Sequence, residues 1–550
     1  MKYYLLFFNF ILLSNLSTAQ VGMWTWIKGD TISNDSAVYG VKGVPSPVNT
    51  PAGAYNCVGW VDQEGMFWSF GGGNSFGWQN DLWRFNPETL EWTWMKGPGE
   101  GNNLGHYGSQ GVPDPENIPP ARGFGTLTWT GNDGLLWLYG GYANIDGERF
   151  YNDLWNYNPT TNTWTWVSGS STPNQQPVYG IQGVPSEMNT PGARAETGAT
   201  WVDDSNNLWL FGGASSDVNT PQWHMLNDLW KYNIETNEWT FVKGQSYEDA
   251  DGNYGTLGVP SPENEPPARM SYATWVDSEG RFYLFGGNDW DSSYLLHNDM
   301  WRYNPETNMW TWLKGTSNAN DIGYSGNMCL ETDAANPSSR FENRANWAIN
   351  NHFFMFGGYH DSDSSNNQML NDLWVYSVEN NSWTWIAGDS IGNQPAVYGT
   401  KGIAAPENKP LGRMGAIAWY DKAGSAYIFG GYEYNHQTPS SAKLMTDVWK
   451  YEIDTNCVSY TSISEIEGVY FQLYPNPTSE LLNIYLSSPR EEVALRIYDM
   501  QGRMVYSKSI TPSQDNFKIN IRKYSEAELF YVILSTADSV IRKKVIVMDY

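Results

Sequence analysis

Histidine, cysteine and positive charge are scarce in this chain. Of 550 residues, six are His and three are Cys. The cysteines, Cys57, Cys329 and Cys457, lie far apart, so neither a zinc-ligand spacing nor a redox Cys-x-x-Cys occurs. An odd count leaves at least one thiol without a partner in the chain. A Cys329–Cys457 bridge is one option, and sequence alone leaves the pairing open. Lys and Arg number 32 against 59 Asp and Glu, a net charge of −27. A field of that sign repels phosphate backbones, which argues against a nucleic-acid partner. No apolar run approaches the roughly 20 residues that a spanning helix requires, so no membrane span is expected. His-Glu-x-x-His and P-loop motifs are missing, so a zinc protease has no support.

Aromatic residues and glycine are abundant: 29 Trp, 35 Tyr, 21 Phe and 54 Gly. A chain so rich in large rings can bury enough apolar surface to fold. At the start, Lys2 precedes an apolar stretch from Tyr3 to Leu13, then Ser17-Thr18-Ala19. This is the pattern of a secretory signal peptide, residues 1–19, cut after Ala19.

The middle of the chain repeats. Gly-Gly recurs at Gly71, Gly140, Gly212, Gly286, Gly357 and Gly430. A second mark, Asn80-Asp81-Leu82-Trp83, returns at Asn152, Asn227 and Asn371, and varies at Asn298 and Thr446. A third, Trp92-Thr93-Trp94, returns at Trp164, Trp310 and Trp383, and varies at Trp239. Each unit reads as four short strands, because aromatic and β-branched runs alternate with Asn, Asp, Pro and Gly turns. Radial repetition of four-stranded units predicts a β-propeller. The sixth unit lacks its own Trp-Thr-Trp. One copy stands alone at Trp24-Thr25-Trp26, so this N-terminal strand is expected to complete the last blade and remove an open edge. The predicted fold is therefore all-β: a six-bladed propeller over residues 20–459, a linker at 460–472, and a small C-terminal β-sandwich at 473–550.

The Gly-Gly, the aromatic at Phe85, Tyr157, Tyr232, Tyr303 and Tyr376, and the Trp seven positions later together resemble the kelch repeat. That resemblance implies a galactose oxidase-like propeller. The period exceeds the usual kelch length of about 50 residues. The excess is a recurrent Tyr-Gly-x-x-Gly-Val-Pro insert, starting at Tyr39, Tyr107, Tyr179, Tyr254 and Tyr398, with a degenerate copy at Tyr324. The tail, with Leu473-Tyr474-Pro475-Asn476-Pro477 and Arg542-Lys543-Lys544-Val545, resembles the C-terminal sorting domain of type IX secretion in Bacteroidota. This implies export to the cell surface or the medium, with the type IX machinery as a partner. Phe530-Tyr531 stands where that family usually has Gly-Tyr.

Function is expected on the face carrying the long loops after each Gly-Gly and between blades, since binding residues concentrate on loops held by a rigid scaffold. The candidate ligand-binding residues are Trp78, Tyr151, Trp223, His224, Trp290, Tyr294, Tyr359, His360, Tyr432 and Tyr434. Rings beside carboxylates suit sugars, whose C–H faces pack on aromatics. The recurrent Arg122, Arg194, Arg269, Arg340 and Arg413 are read as structural pairs. Asp249-Ala250-Asp251-Gly252-Asn253 resembles a calcium-loop fragment without its closing glutamate. No catalytic residue, metal or cofactor is assigned. Galactose-oxidase copper chemistry is disfavoured because the six histidines are dispersed. The expectation is a non-enzymatic module binding a glycan or an extracellular protein. The alternative is a sugar epimerase or mutarotase resembling the six-bladed kelch sialic-acid mutarotases, which would need Glu and Arg on the axis, with Glu196 an example of such a residue.

Overall fold

The computed structural model describes residues 22–31, 36–196, 198–216, 223–289, 295–361, 367–433, 443–454 and 457–458. It also describes 471–474, 481–486, 493–499, 504–510, 516–523, 529–535 and 540–546. Among these residues there is no α-helix, and the chain is all-β.

Six four-stranded antiparallel sheets follow one another along the chain. Blade 1 comprises Val58–Val61, Phe67–Phe70, Leu82–Asn86 and Glu91–Lys96. The inner strands of blades 2 to 6 begin at Leu127, Ala199, Ala273, Asn346 and Ile417. Each inner strand contacts the inner strand on either side, and the ring closes between Val58–Val61 and Ile417–Tyr420. Met23–Lys28 is the outer strand of blade 6 and pairs Trp24 with Tyr451 and Trp26 with Trp449. The strand order therefore ties the two ends of the ring into one sheet, as the orphan Trp-Thr-Trp predicts.

The rings lie between the blades. Trp419 of blade 6 stacks on Phe67 of blade 1 at 5.2 Å, and Trp201 of blade 3 on Phe282 of blade 4 at 4.9 Å. Offset stacking of this kind adds to the burial of large apolar area. Inner-strand indoles also bond across the gap: Trp60 Nε1 donates to Trp137 O at 3.0 Å, and Trp129 Nε1 to Trp209 O at 2.9 Å.

The Gly-Gly pairs sit where the second strand leaves the sheet. At Gly71, φ is +68°, and a Cβ there would lie 2.5 Å from Arg122 O. The inserts cover each blade's outer edge. Gly43 N donates to Trp94 O at 2.8 Å, and Ser46 pairs with Trp92. They satisfy an edge strand that would otherwise template aggregation. Cys329 and Cys457 are bonded, with Cα atoms 4.5 Å apart, and Cys57 is a free, buried thiol.

The C-terminal segment forms two sheets, one of three strands and one of four. Alternate residues are buried: Leu482 and Ile484 in the first, Leu495 and Ile497 in the second. The signal peptide expected at 1–19 and most of the linker expected at 460–472 lie outside the described residues.

Candidate functional site at the axial mouth

Blades 2 to 6 are entered through a recurrent motif. The arginines before the inner strands bond to the aspartate of the Asn-Asp-Leu-Trp motif: Arg122–Asp153 at 2.7 Å, Arg194–Asp228 at 3.0 Å, Arg269–Asp299 at 2.5 Å, Arg340–Asp372 at 2.8 Å and Arg413–Asp447 at 2.6 Å. All five arginines are buried and bidentate, the geometry that a guanidinium fork favours. Burial alone would raise the Asp299 carboxyl, but Arg269 overrides it and holds it at about 2. The arginine backbone also grips the preceding blade: Gly72 N donates to Arg122 O at 2.9 Å, and Gly213 N to Arg269 O at 3.1 Å. These arginines are structural braces, as expected.

Two or three residues after this position the chain turns onto the axis. The six turning residues, Asn56, Gly125, Glu196, Ser271, Glu342 and Gly415, all have positive φ, from 50° to 72°. Four of them are not glycine, so the backbone stores strain around the axis, a feature that clusters at functional sites. Backbone hydrogen bonds link this collar between blades: Glu342 N donates to Ser271 O at 3.0 Å, and Gly415 N to Glu342 O at 2.9 Å. In the second blade only glycine fits, because a Cβ on Gly125 would lie 1.8 Å from Glu196 N.

The collar gathers polar side chains from three blades. Ser271 Oγ donates within reach of Glu196 Oε2 at 3.2 Å and of Glu342 Oε1 at 3.1 Å. Arg344 Nη2 donates to Glu342 Oε1 at 3.0 Å and lies 3.6 Å from Glu196 Oε2. Glu196 is 7% exposed and Glu342 4%. Burial, then the neighbouring Glu342, raise the Glu196 carboxyl well above the usual range, and Arg344 only partly opposes them. Arg344 Nη1 has no hydrogen-bond partner among the described residues. Beneath the collar, an axial cavity of about 180 Å3 is lined by Thr126, Thr128, Thr200, Thr274, Asn346 and Arg344, among others.

An arc of rings stands around half of this mouth. Tyr432 meets Tyr55 at 5.6 Å, Tyr55 meets Phe124 at 5.2 Å, Phe124 meets Tyr142 at 6.1 Å, and Tyr142 meets Trp223 at 5.4 Å. Tyr55, Phe124, Trp223 and Tyr432 are half-buried and keep some surface open. The Tyr55 hydroxyl is pushed up to about 12 by burial, then by Tyr432 and Glu196.

The expected residues divide. Trp78, Trp223 and Tyr432 come together: Trp78 is buried behind the arc, 5.4 Å from Phe124. Tyr151 is buried over the Arg122 guanidinium at 4.1 Å. Tyr359 is buried against Phe341 at 5.1 Å, and buried His360 is bonded to Ser339 O at 2.6 Å. His224 is half-buried and pairs with Asp249 at 2.7 Å. Trp290, Tyr294 and Tyr434 lie outside the described residues. Sequence reasoning missed Tyr55, Phe124, Ser271, Glu342 and Arg344. For Ser271 and Glu342 the signal was a change of residue type at the turning position: acid or hydroxyl in three blades, glycine in two.

Two motifs receive a local explanation. Asp249 of the calcium-like fragment bonds Met225 N at 2.7 Å, as Asn102, Asn174, Asn320 and Asn393 do at the same place in other blades. Gly73-Asn74-Ser75-Phe76-Gly77 has the Gly-x-Ser-x-Gly spelling. It is a hairpin pairing Gly73 with Trp78, not the strand-to-helix elbow that a hydrolase nucleophile needs.

Comparison with known proteins agrees with this architecture. The KLHDC2/KLHL20/DRC7 Kelch-repeats domain matches residues 178–334 and 259–409, and the secretion system C-terminal sorting domain matches 472–548. Tip elongation aberrant protein 3 of Schizosaccharomyces pombe is 27% identical over 202 residues, 34% of this chain and 16% of that protein. Mei4-dependent protein 6 of the same yeast is 24% identical over 191 residues, 34% of this chain and 22% of that protein. The matches thus span under a quarter of either relative's length. The solved structure of YjhT is 14% identical, covering 72% of this chain and 95% of its own, with a TM-score of 0.44.

Proposed function

Because the chain carries kelch repeats and ends in a secretion-system sorting domain, we propose that it is an exported carbohydrate-binding propeller whose ligand occupies the axial mouth of the long-loop face. The sorting tail points to export, to the surface or the medium, with type IX machinery as the partner at residues 473–550. The observation that carries the binding reading is the half-ring of Tyr55, Phe124, Trp223 and Tyr432 above Glu196, Ser271, Glu342 and Arg344. Rings pack against sugar C–H faces while carboxyl, hydroxyl and guanidinium groups meet hydroxyls. Removing a flat ring from such a site costs affinity with little change in fold. The test is a glycan array probed with the full chain. Binding to one sugar class that falls at least ten-fold in Trp223→Ala supports the reading; a blank array, or binding untouched by Trp223→Ala, sinks it.

A second reading has its own support. The two carboxyls Glu196 and Glu342, the first with its pKa raised by burial and by Glu342 and the second bonded to Arg344, stand in unlike surroundings within one mouth. A sugar mutarotase would use such a pair to open and reclose a ring. Magnetisation exchange between anomers, faster with the full chain than without it and lost in Glu342→Gln, would favour turnover over binding alone.

A further inference from the structure

In five blades the insert tyrosine fills the same socket. Tyr39, Tyr107, Tyr179, Tyr254 and Tyr398 lie 4.8 to 5.3 Å from two rings each: the Trp of the Asn-Asp-Leu-Trp motif or its variant, and the second ring of the Trp-Thr-Trp or its variant. Their hydroxyls donate to Asp81, Asp153, Asp228, Asp299 and Asp447 at 2.7 to 3.2 Å.

Blade 5 breaks the pattern. Tyr324 N donates to Asn336 O as His106 N does to Ile118 O, and Cys329 N to Trp385 O as Gly111 N does to Trp166 O. The register therefore aligns Tyr324 with His106 and places Ser325, not Tyr324, where Tyr107 stands. Tyr324 is 60% exposed. The socket walls remain: Trp374, Trp385 and the Asp372–Arg340 pair line a cavity of about 310 Å3, with Ser325 and His360 also on its lining. Asp372 Oδ2 accepts from Trp374 Nε1 at 2.7 Å and from Arg340 Nη2 at 2.8 Å, as its counterparts do. What the other five blades add, and this one does not, is a phenol.

We propose that this socket in blade 5 binds a phenolic ring from outside the chain, the group that a tyrosine side chain on a second protein presents. The ring lies against Trp374 and Trp385, and its hydroxyl donates to Asp372. The exposed Ile322 and Ile391 beside it give an apolar rim suited to the flanking residues of a protein ligand. A free phenol shares the chemistry, and the experiment separates the two sources.

The full chain is titrated with p-cresol, toluene and the capped tripeptide Gly-Tyr-Gly, by calorimetry and ligand-observed NMR. Saturable p-cresol binding is expected, weaker for toluene by about ten-fold, because a hydrogen bond to a charged acceptor is lost. Tighter binding of the tripeptide than of p-cresol assigns the site to a protein tyrosine. Binding of p-cresol with exclusion of the tripeptide assigns it to free phenols and overturns the protein partner. Ser325→Tyr restores the ring found in the other five blades, so binding falls at least about ten-fold while the fold is kept. Ser325→Phe serves where Ser325→Tyr does not fold. Equal binding of p-cresol and toluene, no saturable binding, or unchanged p-cresol binding in a folded Ser325 variant overturns the proposal.

Discussion

Closure by the N-terminal strand makes a quantitative demand on one side chain. Trp24 is 3% exposed, with its ring 5.3 Å from Phe356 and 4.9 Å from Tyr451. Its carbonyl also accepts from Asn408 Nδ2 at 3.0 Å. Trp24→Ala removes the ring from the seam between blades 5 and 6. Truncation of a buried Trp costs about 3 to 5 kcal/mol. If the ring of blades unfolds as one unit, its melting entropy is about 0.9 kcal/mol/K, from roughly 2.1 cal/mol/K per residue. The melting temperature should then fall by about 3 to 6 °C. Trp26, on the same strand, is half-buried and packs on Tyr398 at 5.0 Å. Trp26→Ala should cost less. Scanning calorimetry reads both. A single transition shifted for the whole ring supports closure. A Trp24→Ala shift below 1 °C, or a separate low-temperature transition confined to blade 6, refutes the reasoning.

Further outcomes follow from the collar and the bridge. Glu196 has a raised carboxyl pKa, so the folded protein holds more protons than the unfolded chain between the ordinary glutamate value and the raised one. Stability from this group is full at low pH and declines as pH rises through that window. Glu196→Gln should flatten the decline, raising the melting temperature relative to the parent at pH 7 to 8 and not at pH 4. Gly125→Ala forces a Cβ to 1.8 Å from Glu196 N at a φ of +72°, and should cost more than about 3 kcal/mol in denaturant unfolding. Replacing Cys329 and Cys457 by Ser opens a crosslink between positions 128 apart, and should lower unfolding free energy by about 2 to 4 kcal/mol.

Blade count, strand identity and ring closure were legible because they repeat. Six Gly-Gly marks and a displaced Trp-Thr-Trp carry the same instruction six times, and period-two alternation turns each copy into a strand. The arginine braces were legible for the same reason. The long-loop face was legible only in part, because composition reports that rings are present without saying which are wedged. Tyr151 and Tyr359 became packing, while Trp223 and Tyr432 kept an open edge.

The amino-acid sequence by itself determined the local code: four strands per unit, six units, and a tail of different character. Only the tertiary structure decided which residues meet. Glu196, Ser271 and Glu342 each follow a recurrent arginine by two residues, but they differ in type and come from three blades, with Arg344 beside the last. They converge because ring closure brings each blade's entry turn to one axis, where the left-handed backbone aims them together. The socket of blade 5 was decided the same way. In the letters Tyr324 looks like a sixth copy of the insert, but the hydrogen-bond register moves it one position, and one position reverses the side of the chain on which a side chain falls.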